Sequence, residues 1–113
     1  MKIRLLSDIH QEFYEDKELY KSKGEDVLVL AGDVHVGHGR TFSALKQFYE
    51  HQKNIIYVPG NHEYYRSSIV EFDYYMKRFI QGTSIKFLNP GYARIGDVTF
   101  IGATLWTNFR QDV

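Results

Sequence analysis

The stretch "IIYVPGNHEYY", Ile55 to Tyr65, runs an apolar and aromatic segment straight into Pro59-Gly60, then presents Asn61, His62 and Glu63 together. An amide, an imidazole and a carboxylate on one turn exceed what a surface loop needs. The apolar run reads as a buried strand, and its ending gains meaning if other strands end alike. "KIRLLSDIH" closes on Asp8 and His10, and "DVLVLAGD" closes on Gly32-Asp33. Strands are predicted near residues 2–7, 27–32 and 55–58.

The intervening segments complete an α/β pattern. "RTFSALKQFYEH" places Phe42, Leu45, Phe48 and Tyr49 on one helical face, and "SIVEFDYYMKRFIQ" does the same with Ile69, Phe72, Met76, Phe79 and Ile80. Ser68 and Glu71 form a capping box for the second helix, and Gly82 supplies a stop. "IKFLNP" reads as a further strand. "YARIGDVTFIGATLW" reads as a hairpin turning at Gly96-Asp97. "QEFYEDKELYKSKGED", between the first two strands, is polar and reads as a solvated loop. Strand, strand, helix, strand, helix, strand, hairpin implies a sheet that is parallel in its first half.

In a parallel sheet all carboxyl ends share one edge, where ligands bind. Asp8, His10, Asp33, Asn61 and His62 would therefore converge there. Residues two apart on an extended chain point the same way, so Asp8 and His10 can reach one cation. Carboxylate, imidazole and amide oxygen suit Mn, Fe, Zn or a mixed pair. Taken singly, an Asp-x-His or a Gly-Asp is ordinary turn chemistry. Three such endings in order favour a metal site.

Composition narrows the field. Lys plus Arg and Asp plus Glu number 14 each, so the net charge is zero and does not indicate a nucleic-acid partner. Cysteine is absent, which excludes disulfide scaffolds and thiolate metal sites. No stretch approaches the ~20 apolar residues of a membrane span. A soluble, cytoplasmic protein with no membrane partner is expected.

"SDIH", "LAGDV" and "PGNHEYY", in that order, resemble the N-terminal half of the calcineurin-like metallophosphoesterases, whose strands end in D-x-H, G-D and G-N-H-[ED]. The resemblance implies an αββα sandwich-type fold, here incomplete: first sheet and helices, with a mixed sheet and C-terminal hairpin over residues 1–113. It implies a metal-dependent phosphoesterase hydrolysing a phosphate mono- or diester. Two divalent ions, among Mn, Fe, Zn, Ni or Mg, would serve as cofactors. Asp8 and His10 would hold the first, Asp33 would bridge both, and Asn61 would hold the second. His62 would be catalytic, near the phosphate. Glu63 would support its loop from behind. His35 and His38 are read as substrate-side or solvent-facing, with a metal contact as the lesser alternative, and Arg40 as a phosphate contact at a helix start.

The family pattern continues with a later His and a G-H-x-H motif, whereas the histidines here are His10, His35, His38, His51 and His62. The chain is accordingly expected to be a truncated or split form, with a separately encoded C-terminal half as partner. A non-catalytic metal-binding or scaffold module of the same fold is the alternative. An unrelated nucleotide-binding domain is disfavoured, because no G-x-x-x-x-G-K loop follows the first strand.

Overall fold

The computed structural model describes residues 1–9, 20–65 and 67–104. Four parallel strands stand side by side in sequence order: β1 (Ile3–Leu6), β2 (Val27–Ala31), β3 (Ile55–Val58) and β4 (Lys86–Phe87). Leu5 pairs with Val29, and Val29 with Ile56, so the three leading strands end level with one another. Helix α1 (His38–His51) joins β2 to β3, and α2 (Ile69–Phe79) joins β3 to β4.

Alternation along the strands sorts two faces. Leu28, Leu30, Ile55 and Tyr57 form one core with Ala44, Leu45 and Phe48 of α1 and Phe72 and Met76 of α2. Both helices therefore cover the same face, as right-handed crossovers between sequential parallel strands require. Each large apolar side chain fully buried there contributes about 1.5–3 kcal/mol. Ile69, assigned to the same helical face from its spacing, is 48% exposed, because it opens the first turn of α2 beyond the edge of this core.

Val27 and Ile56 face the other way and are covered by β5 (Gly91–Ile95) and β6 (Val98–Gly102). This antiparallel hairpin turns at Gly96-Asp97 and forms a two-stranded sheet of its own. Ala93, Ile95 and Phe100 line its inner face, and the outer Tyr92 and Ile101 are exposed. Lying flat on the first sheet buries that inner row, which edge-to-edge pairing would leave open. Helices, parallel sheet and second sheet make up an incomplete αββα sandwich.

The ends of the elements follow local chemistry. Ser68 Oγ accepts from the Glu71 N–H at 3.0 Å, the first half of the capping box. The Glu71 carboxylate lies 3.7 Å from His38 Nε2 and so bridges the two helices. α1 begins at His38, two residues before the sequence pattern suggests, with Thr41 N–H donating to the Gly37 carbonyl. Among the described residues, no helix is long and apolar enough to cross a membrane.

Candidate functional site

Level strand ends place the loops after β1, β2 and β3 in contact. Asp8 N–H donates to the Gly32 carbonyl at 3.1 Å, tying the first loop to the second. His62 N–H donates to Asp33 Oδ1 at 2.9 Å, tying the second to the third. Asp8 and Asp33 have φ of 53° and 54°, and they are the two non-glycine residues in the left-handed region among those described. Aspartate tolerates that region better than most residues, but it is sparsely populated and is held by surrounding bonds where it occurs.

Close approach of the loops depends on two glycines. Gly32 has φ 89°, and a Cβ there would stand 3.1 Å from Gly60 Cα. Gly60 in turn leaves the space against Asp33 open. Asn61 follows, exposed, and leads into a 3-10 turn over His62–Tyr64. Asp33 and Asn61 line a cleft of about 460 Å³, together with Gly32, Gly60, Ile101 and Thr104.

Glu63 is fully buried beneath this arrangement. Oε1 accepts from the N–H groups of Asp33 and Gly60, both at 3.0 Å. Oε2 accepts from Val34 N–H at 3.3 Å and from Tyr57 Oη at 2.6 Å. Burial pushes the carboxyl pKa up to about 7, although the bonds from Tyr57 and the backbone pull it down. One side chain thus fastens the loop after β2 to the loop after β3.

The remaining expected site residues differ in burial and neighbours. His35 is buried rather than solvent-facing, with Nδ1 accepting from Val36 N–H at 2.7 Å. Its loop turns inward beneath the strand ends, because Val34 and His35 both pack into the interior. His38 stacks on Tyr75 at 4.5 Å, turned towards α2. Arg40 is exposed in the first turn of α1. His62 is half-buried, its ring 4.6 Å from that of Tyr65. His10 lies outside the described residues.

Tyr57 and Thr104 were not anticipated. Tyr57 sits inside an apolar run, where its hydroxyl carries no pattern of its own. Thr104 Oγ1 donates to the Pro59 carbonyl at 2.6 Å, so the end of the hairpin braces the third loop. Neither partner can be read from local sequence.

Two carboxylates and an amide oxygen on neighbouring strand ends suit a hard or borderline divalent cation in kind. Asp33 supports the fit: Oδ1 is anchored by His62 N–H, while Oδ2 takes no hydrogen bond from the described residues. Among those residues, no three His, Cys, Asp or Glu side chains gather at metal-holding distance.

Comparison with known proteins gives the same direction. The family model for calcineurin-like phosphoesterases matches residues 1–108. An uncharacterised protein of Acanthamoeba polyphaga mimivirus, L509, is 31% identical over an alignment of 131 residues. That alignment takes in 96% of this chain but 45% of the viral protein, so the chain spans less than half the length of this relative. No solved structure matches. With Asp8, Asp33 and the Asn61-His62 turn linked at one sheet edge, and a family match over residues 1–108, the chain belongs to the calcineurin-like phosphoesterases.

Proposed function

We propose that the strand-end loops form part of a dinuclear metal site for hydrolysis of a phosphate mono- or diester. The observation that supports this most directly is the linkage of Asp8, Asp33 and the Asn61-His62 turn at one edge, with both aspartates in the left-handed region. The family is generally dependent on divalent metals. Bound at such a site, two cations supply an activated water and neutralise phosphoryl charge.

Within that reading, Asp8 and His10 would hold the first ion, and Asp33 would offer its carboxylate to both. Asn61 would give its side-chain oxygen to the second. His62 would lie near the phosphate and protonate the leaving oxygen or stabilise its charge.

Manganese titration by calorimetry, with hydrolysis of bis(p-nitrophenyl) phosphate, tests the assignment. Asp33→Asn should abolish both binding and turnover. His62→Ala should keep the metal and lower the rate by about 10²–10⁴-fold, as loss of a general acid does. Unchanged manganese affinity in Asp33→Asn would falsify the bridging role.

A further inference from the structure

The geometry points to Tyr57 as a positioning residue for this site, acting through Glu63; the inference rests on the metal-site reading. Tyr57 lies in the middle of β3, paired with Leu30 on one side and Phe87 on the other. Its ring is fully buried in the helix-facing core, 5.7 Å from the ring of Phe87. The backbone of this residue is thus held by the sheet and its side chain by the core.

Each Glu63 oxygen accepts two hydrogen bonds, three from backbone N–H groups and one from the Tyr57 hydroxyl. The three amides belong to the very loops that must be positioned. Tyr57 Oη is the donor that comes from the sheet itself. It references the carboxylate plane to the scaffold, and the carboxylate passes that reference to Asp33 and Gly60. Without the hydroxyl, Oε2 would keep only the longer 3.3 Å contact to Val34 N–H. The carboxylate could then rotate, and the left-handed Asp33 backbone would lose its brace.

Packing alone gives no reason for this hydroxyl. Phenylalanine would fill the same volume without burying a phenol against a carboxylate, and such buried polar pairs rarely add net stability over apolar groups of similar size. Side chains behind metal ligands, by contrast, typically change metal affinity by 10–100-fold when removed. An effect on binding larger than the effect on stability is the signature of a positioning role.

Tyr57→Phe in the full chain, with Glu63→Gln and the double variant, tests this. Amide hydrogen exchange is read on the metal-free chain and manganese affinity by calorimetry. In Tyr57→Phe the Asp33, Val34 and Gly60 amides should exchange roughly tenfold faster, while Leu28 and Leu30 amides stay protected. Manganese affinity should fall about tenfold or more, while the lost donor to the buried carboxylate lowers the melting temperature by roughly a few degrees. The double variant should lose little beyond Glu63→Gln, because both act on one connection. Unaltered exchange at Asp33 and Gly60 overturns the inference, as does a loss of protection spread evenly through β2 and β3. Should the parent chain bind no manganese, the metal-site reading fails. Exchange then still decides whether Tyr57 positions the loops.

Discussion

Gly60 lies so close to Asp33 that a Cβ built on it would stand 2.3 Å from Asp33 Oδ1 and 2.7 Å from the Asp33 nitrogen. One of those neighbours is backbone, so no rotamer change relieves both contacts. The third strand-end loop is therefore shaped around the carboxylate of the second. Glycine in "PGNH" is required here for space.

Gly60→Ala is expected to push Asp33 away from His62 N–H and to destabilise the fold by about 1–3 kcal/mol, as overpacking usually does. Manganese binding should be lost to a greater degree than stability. A urea melt beside a calorimetric titration compares the two. Binding at the parent affinity would show that Asp33 need not keep its observed position.

Acid sensitivity should come from the opposite end of the sheet. Burial raises the Glu25 pKa, but bonds from the Tyr20 and Ser22 hydroxyls and from backbone N–H groups outweigh it and lower the pKa from 4.5 to about 2. A depressed folded-state pKa gives stability that is complete above pH 4.5 and is lost as pH falls towards 2. Glu63, raised from 4.5 to about 7, has the opposite sign: its share is complete below pH 4.5 and fades as pH rises through 7. Comparison with Glu25→Gln below pH 4.5 therefore reads the share of Glu25 apart from that of Glu63. Melting temperatures of the parent and Glu25→Gln should converge between pH 4.5 and 2, and a constant gap would contradict the assignment.

Docking of the hairpin turns on another glycine. A Cβ on Gly102 would meet Val58 Cγ2 at 2.6 Å and Leu88 Cβ at 3.1 Å. Gly102→Ala should lift the end of β6 from the first sheet, at a loss of about 1–3 kcal/mol. Because Thr104 follows and braces the Pro59 carbonyl, exchange at Gly60 should quicken as well. Protection of Gly60 equal to that in the parent would separate the hairpin from the site.

Ser68→Ala removes the cap from α2 and should lower stability by about 1 kcal/mol. Ser68→Asp should retain it, since aspartate accepts the same N–H. Chemical denaturation of the three proteins checks the order.

Much of this architecture is legible in sequence, for identifiable reasons. The β2 and β3 runs are short, continuous and apolar, so their extent follows from composition, and Ser68 with Glu71 marks the start of α2. The hairpin turn is legible because Gly96-Asp97 separates two alternating runs. That the hairpin forms a separate sheet is not, since alternation says which residues are buried and not what covers them. Meeting of the strand ends follows from parallel order. The way they are fastened does not, because Glu63 reaches N–H groups 30 and 29 positions away and these leave no periodic trace. His35 misleads for a similar reason: glycines and polar groups surround the Val34-His35-Val36 stretch and suggest an exposed loop, yet Val34 and His35 turn inward.

The bond from Asp33 N–H to Glu63 spans 30 residues, and that span has a temporal meaning on the ribosome. β1 and β2 can pair once residue 31 has emerged, but the brace for the Asp33 loop must wait for residue 63. At roughly 5–20 residues per second, this delay is about 2–6 s. Throughout it, the nascent chain displays Asp8 and Asp33 on a sheet edge without the clamp that gives them their shape. If these loops hold metal as proposed, a cation met during that interval would find loose, competing carboxylates, and selection among metals would begin only after the third strand is in place.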